Sequence, residues 1–252
     1  MSARPKREYG QHFLRDPNIL DVIGRLAELE PGDVVLEIGP GRGVLTRYLA
    51  ARVRRVHAVE IDRGLEPELA DLPDNVDVVF GDALQLGLPE DATKLVANLP
   101  YNVATPLVVE SLDGLPGIGL WCVMVQREVA DRFFAAPGTE DYGAVSVLVQ
   151  LATERIGFHA VSRTVFRPQP NVDSALVAFR RTELPATYGR VKEVVTAAFA
   201  HRRKTLPNSL ALAGLTLREQ AGEALAAIGR APETRAEALA PAEFVALAEA
   251  LP

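Results

Sequence analysis

The sequence predicts an α/β protein: a mainly parallel sheet with helices on both faces and a late antiparallel strand pair, followed by a small all-helical domain. Three observations carry this. Short apolar runs alternate with segments of helical spacing from Val34 to Val125. A glycine turn, Gly39-Pro40-Gly41-Arg42-Gly43, joins the first of those runs to a helix. From Pro185 the chain becomes rich in Ala, Leu and Glu, offers no convincing strand, and is broken by Pro207, Pro232 and Pro241.

In order, Asp16-Pro17 opens a helix over 17–29, with Asp as cap and Pro in the first turn. Val34 to Ile38 reads as a buried strand, and a helix runs from Val44 to Ala51. Arg55 to Glu60 is a second strand, with a short helix around Leu65 to Asp71. Val76 to Phe80, Lys94 to Ala97 and Trp121 to Val125 are the third, fourth and fifth strands. Helices starting at Thr105 and at Arg127 flank the fifth. After a helix around Tyr142 to Thr153, strands near Arg155–His159 and Ser174–Arg180 are joined by the proline-rich loop Phe166-Arg167-Pro168-Gln169-Pro170. A pair with no crossover helix between its strands is expected to be antiparallel and at the sheet edge. The rest reads as three or four helices. The expected division is residues 1–182 and 183–252.

The 252 residues, 48% of them hydrophobic, can bury a sizeable core. The single cysteine, Cys122, lies in an apolar run, so no internal disulfide forms and a reducing compartment is expected. The polar start Met1–Glu8 is followed by no h-region, and no apolar run approaches the ~20 residues of a membrane span. A cytoplasmic protein without a membrane partner is therefore expected. The histidines have neither ligand spacing nor cysteine partners, so no metal is expected. Nothing signals oligomerisation, and a monomer is expected. The net charge of −6 falls entirely in residues 1–182, because residues 183–252 carry eight basic and eight acidic side chains. A polyanion would have to be held by local clusters: Arg4, Lys6 and Arg7; Arg163 and Arg167; Arg180 and Arg181; or Arg202-Arg203-Lys204. Any one of them alone is commonly a solvated face.

The chemistry concentrates at Asn98-Leu99-Pro100-Tyr101. This segment follows a buried strand, where ligands bind in open α/β sheets. An amide and backbone carbonyls offer acceptors, and the tyrosine offers a π-face. A flipped-out adenine needs that set. The tetrapeptide alone reads equally as an ordinary turn. The glycines at 39, 41 and 43, with Val44 next, break the dinucleotide pattern G-x-G-x-x-G, and Glu37 suits a pyrophosphate poorly. S-adenosylmethionine has no phosphate and carries a sulfonium, so acids suit it. Glu60 is placed to accept from ribose hydroxyls, and Asp82 from the adenine amine. Each acid taken singly could equally be a helix cap.

Eight segments then resemble the ribosomal RNA adenine dimethyltransferases over nearly the whole chain. They are Gly10-Gln11-His12-Phe13-Leu14, Glu37 to Gly43, Glu60-Ile61-Asp62, Gly81-Asp82-Ala83, Asn98 to Tyr101 with Thr105-Pro106, Val125 to Ala130, Phe166 to Ser174, and His201 to Thr205. The resemblance implies a class I S-adenosylmethionine-dependent methyltransferase, Rossmann-like in fold. It implies that His12 (Asn in many relatives) and Leu14 close over the methionine part of the cofactor. Gly39 would contact the methionine moiety, Glu60 the ribose and Asp82 the adenine, with Gln11, Gly41, Ile61 and Ala83 in the same set. Asn98 would stand between cofactor and target base. The Asn98 oxygen and Leu99 carbonyl would hold the amine, Pro100 would brace the turn, Tyr101 would stack on one face of the base, and Phe166 would flank the other. Arg202, Arg203 and Lys204 would contact RNA, with the N-terminal basic residues.

The implied reaction is dimethylation of two adjacent adenosines in the 3′-terminal hairpin of 16S rRNA, within the small ribosomal subunit or its precursor. Asn102 to Pro106 and His201 to Thr205 favour this over a resistance-type 23S rRNA methyltransferase. A non-catalytic ribosome-assembly factor is disfavoured by the intact Asn98–Tyr101 motif. A nicotinamide dehydrogenase is disfavoured by Val44.

Overall fold

The computed structural model describes residues 11–252. Arg4, Lys6 and Arg7 lie outside the described residues. From the amino end come β1 (Phe13–Leu14), α1 (Pro17–Leu26), β2 (Val34–Ile38), α2 (Val44–Ala50), β3 (Arg55–Glu60), α3 (Glu66–Leu69), β4 (Val76–Phe80) and β5 (Lys94–Asn98). There follow α4 (Ala104–Gly114), β6 (Leu120–Gln126), α5 (Arg127–Phe133), α6 (Ala144–Ala152), β7 (Thr153–Val161), β8 (Phe166–Arg167) and β9 (Ser174–Arg181). The last four helices are α7 (Tyr188–Phe199), α8 (Leu206–Leu212), α9 (Arg218–Ala227) and α10 (Pro241–Ala250).

Seven strands form one sheet in the order β4-β3-β2-β5-β6-β9-β7. The β3–β4, β2–β3, β2–β5 and β5–β6 pairs are parallel, and β9 runs antiparallel to β6. The last two strands lie together on this side of the sheet, with β7 at its edge and β9 between β7 and β6. All five residues of β2 are buried, which a strand covered on both faces requires. Trp121 and Phe179 are fully buried and stack with ring centroids 5.5 Å apart. Side chains of this size contribute about 1.5–3 kcal/mol each when fully buried. The Arg181 guanidinium lies over the Trp121 ring and donates to the carbonyls of Leu112, Leu115 and Ile118, closing the carboxyl end of α4. Cys122 is buried, and burial pushes its thiol up to about 12, so it is inert packing.

The chain divides into two compact units, residues 1–130 with 154–181, and residues 131–153 with 182–252. The sequence division at 182/183 left residues 131–153 with the sheet; they instead pack with the carboxyl-terminal helices. The reason lies in α6, which buries Val145, Val147, Leu148 and Val149. In this second unit Tyr142, Phe199 and Phe244 form an aromatic cluster, and the Tyr142 hydroxyl donates to the Leu239 carbonyl at 2.7 Å.

Candidate active site

In the sheet, the chain leaves β2 toward β3 and β4 on one side and later returns to β5 on the other. The crevice at the carboxyl ends of β2 and β5 is thus a topological switch point. A cleft of about 1090 Å³, counting its open mouth, lies there. Of the residues expected to form the site, Gln11, His12, Leu14, Gly39, Gly41, Glu60, Ile61, Asp82, Ala83, Asn98, Leu99, Pro100 and Tyr101 all line it.

The glycine turn is shaped for close approach. Gly39 and Gly41 have φ of +73° and +58°, a region unfavourable to other residues. A Cβ on Gly39 would lie 3.3 Å from the Pro100 ring, and one on Gly41 would lie 3.0 Å from the Phe13 ring. Pro100 therefore packs beneath the turn and Phe13 against it. The turn is tied to β3 as well: Glu60 accepts from the Gly41 N–H at 3.0 Å and from the Asp62 N–H at 2.9 Å. Burial nonetheless raises the Glu60 carboxyl above its ordinary range, the backbone donors pulling the other way. Gln11 donates to Asp62 at 3.0 Å, bringing the amino-terminal segment onto the same rim. Asp82 accepts from the Leu84 N–H and the Gln85 side chain, so it caps its own loop while lining the cleft. Ile61 and Leu84, 43% and 41% exposed, add apolar surface to the cleft beside Glu60 and Asp82.

Asn98 closes β5. Its Nδ2 donates to the His12 carbonyl at 3.0 Å. A carbonyl can only accept, so this bond fixes the amide and leaves Oδ1 as its acceptor in the cleft. The Leu99 N–H donates to the Met124 carbonyl, and the Leu99 side chain is buried, which holds the next carbonyl in place. The Tyr101 hydroxyl is 2.6 Å from Ser174 Oγ at the start of β9, and its phenol is raised by burial. His12 Nδ1 donates to the Pro168 carbonyl at 2.8 Å, and its ring lies 5.3 Å from that of Tyr101. The loop around 168–174 thus positions both rings.

Two expected residues are placed differently. Phe166 is 4% exposed and packs in the core with Leu14, Ile19 and Ile23; it does not line the cleft. Its register partner across the β1–β8 pair is Leu14, and both side chains turn inward. Arg202, exposed like its neighbours, already has partners within the second unit: its guanidinium donates to the Glu140 and Tyr142 carbonyls and lies 3.6 Å from the Glu237 carboxylate. Arg203 and Lys204 are exposed. Sequence reasoning did not select Phe13, Leu84 or Ser174. Pairing of distant segments brings Phe13 and Ser174 to the site, although both lie inside recognised motifs, whereas Leu84 simply follows Ala83 along the chain.

The donor set fits a cationic nucleoside. Glu37 and Glu60 are buried beside the glycine turn, with Glu37 Oε2 orphaned, and Asp82 faces the far end. A pyrophosphate would meet two buried carboxyl groups there. Among the described residues no group of three or more His, Cys, Asp or Glu is placed to hold a metal, and no helix is long and apolar enough to cross a membrane.

The sequence pattern of the ribosomal RNA adenine dimethylase family matches residues 3–251. The chain is 49% identical to ribosomal RNA small subunit methyltransferase A of Rubrobacter xylanophilus, over 98% of this chain and 95% of that protein. It is 45% identical to the protein of that name from Pelotomaculum thermopropionicum, over 97% and 90%. Among solved structures it resembles a dimethyladenosine transferase from Plasmodium falciparum, with TM-score 0.78 and 26% identity over 94% of this chain and 96% of that one. It also resembles the 23S rRNA methyltransferase ErmE, with TM-score 0.65 and 31% identity over 95% and 99%.

Proposed function

This chain belongs to the ribosomal RNA adenine dimethylase family and is an rRNA adenine dimethyltransferase; on that premise we propose that it uses S-adenosylmethionine to dimethylate two adjacent adenosines in the 3′-terminal hairpin of 16S rRNA. The observation that carries the chemistry is the Asn98 amide, locked by the His12 carbonyl with its oxygen left for a ligand. The choice of the small subunit is supported by relatives of that name at 49% and 45% identity, against 31% for ErmE.

Gly39 and Gly41 would admit the methionine end, Glu60 would accept from the ribose, and Asp82 with the apolar surface of Ile61 and Leu84 would take the adenine. When bound, the cofactor supplies an electrophilic methyl on a cationic sulfur. The exocyclic amine of adenine is a weak nucleophile because its lone pair is delocalised into the ring. Asn98 Oδ1 and the Leu99 carbonyl would each accept one of its hydrogens, so that the nitrogen pyramidalises and its lone pair turns out of the ring plane. Tyr101, fixed through Ser174, would hold the base by its face. No strong base is needed, since the proton becomes acidic once the nitrogen is alkylated. After one transfer one N–H remains, which is enough for one of the two acceptors to align the second. Rate enhancement would thus come from alignment and from acceptors fixed before the reaction.

RNA would be held partly by Arg203 and Lys204 on the helical unit, through phosphates. The test is labelled methyl transfer to purified ribosomal subunits. Label in the small subunit is expected; label confined to the large subunit would move the chain to the 23S reading.

A further inference from the structure

Glu37 and Glu60, the two buried carboxyl groups beside the glycine turn, are not equivalent. Glu60 uses both oxygens to accept backbone donors. Glu37, 1% exposed on β2, has one oxygen, Oε2, that meets no donor among the described residues. The nearby Thr46 hydroxyl on α2 lies outside full hydrogen-bond geometry as well. An ionised carboxylate left this way is costly, and such a group stays protonated instead. Burial, with the Glu60 charge against it, pushes the Glu37 carboxyl up to about 8, the Thr46 hydroxyl acting in the opposite sense. None of these influences is cationic. Arg42 on the turn, Asp82 beyond β4, His12 from the amino-terminal segment and Tyr101 beyond β5 are the other ionisable side chains lining the cleft.

We propose that Glu37 reads the charge on the cofactor: it rests uncharged, gives its proton to solvent when a cationic sulfonium enters, and so makes the cleft prefer the methylated cofactor to its demethylated product. This rests on the S-adenosylmethionine reading. The balance is simple. Binding releases one proton and forms a carboxylate–sulfonium pair in a low-dielectric site. Methyl transfer leaves a neutral thioether, and Glu37 takes a proton back from solvent. The paired charge that held the cofactor is then gone, which favours product release. Because binding selects the ionised acid, affinity rises with pH while the free group is still protonated, up to about pH 8, and levels off above it.

The test is titration calorimetry of the full-length protein with S-adenosylmethionine and with S-adenosylhomocysteine, between pH 6 and 8.5, in two buffers of unlike ionisation heat. At pH 7 the sulfonium cofactor is expected to release close to one proton more than the thioether. Its Kd should tighten roughly tenfold from pH 6 to pH 7, the limit for one linked proton. Glu37→Gln, titrated alongside, subtracts the ligands' own amino groups and should remove both the extra proton and the preference. If that variant folds poorly, acid–base titration of the two free ligands corrects for their amino groups, and the wild-type proton counts then decide. Equal proton release by the two ligands, or an unchanged preference in Glu37→Gln, overturns the proposal while leaving the cofactor reading intact. No binding of the cofactor at any pH overturns both.

Discussion

Replacing Asn98 by Ala removes two things at once. The first is the Nδ2 bond to the His12 carbonyl at 3.0 Å, half-buried and worth about 0.5–1.5 kcal/mol to the fold. The second is Oδ1, the acceptor proposed to hold the target amine. A fixed group of this kind, aimed at charge that develops in the transition state, is worth about 2.7–4 kcal/mol, or roughly 10²–10³ in rate. Glu60 and Asp82, the residues proposed to take the ribose and the adenine, stand at the end of β3 and beyond β4, away from β5, so cofactor affinity should change less than about threefold. Single-turnover methyl transfer at saturating cofactor, with calorimetric Kd and melting temperature on the same preparation, separates the terms. The expected result is a large rate loss, a small loss of stability and near-normal cofactor binding. Asn98→Asp sharpens the test, because a carboxylate keeps an acceptor but cannot donate to His12 and adds charge near Glu37 and Glu60. It should retain more activity than Asn98→Ala if the acceptor dominates, and no more if amide positioning does. Turnover of Asn98→Ala within threefold of wild type would refute the reasoning.

Glu60→Ala should weaken cofactor binding by an order of magnitude or more, since it strips the turn of its anchor at Gly41 as well as the ribose acceptor; unchanged calorimetry would sink that assignment. Tyr101→Ala should reduce methyl transfer without unfolding the protein, whereas Tyr101→Phe, which loses only the Ser174 contact, should retain most of the rate; a collapse in thermal stability in either would make Tyr101 a core residue. Phe166→Ala should cost about 3–5 kcal/mol of stability by opening a cavity under β1, read as a lower denaturant midpoint; full stability with lost activity would return Phe166 to the target-base face. Arg203→Glu with Lys204→Glu should weaken binding to ribosomal particles and flatten its salt dependence while sparing cofactor affinity; equal loss of both would argue for a structural role.

The sheet was legible because its central strands are buried. Trp121 to Val125 is apolar without alternation, and Val34 to Ile38 is apolar but for Glu37; both are bounded by turns, which leaves little else for them to be. The glycine turn and Asn98–Tyr101 were legible through their order along the chain at successive strand ends, since the tetrapeptide alone reads equally as an ordinary turn. Phe166 was not, because a two-residue strand gives no periodicity. Which side of it faces the core is set by pairing with Phe13–Leu14, about 150 residues away. The unit boundary was hidden for a related reason: α6 is apolar on most faces, so its sequence demands burial without naming the partner. Arg202 reads as a free cation until Glu140, Tyr142 and Glu237 are folded around it. The orphaned oxygen of Glu37 is visible only once its neighbours are in place.

The atom that receives the methyl groups is the decisive observable. Unmethylated small-subunit particles incubated with the protein and S-adenosylmethionine, then digested to nucleosides and mapped along the RNA, should show N6,N6-dimethyladenosine at two adjacent positions in the 3′-terminal hairpin. Methyl groups on another atom or another nucleotide, or none while the cofactor binds normally, would contradict it.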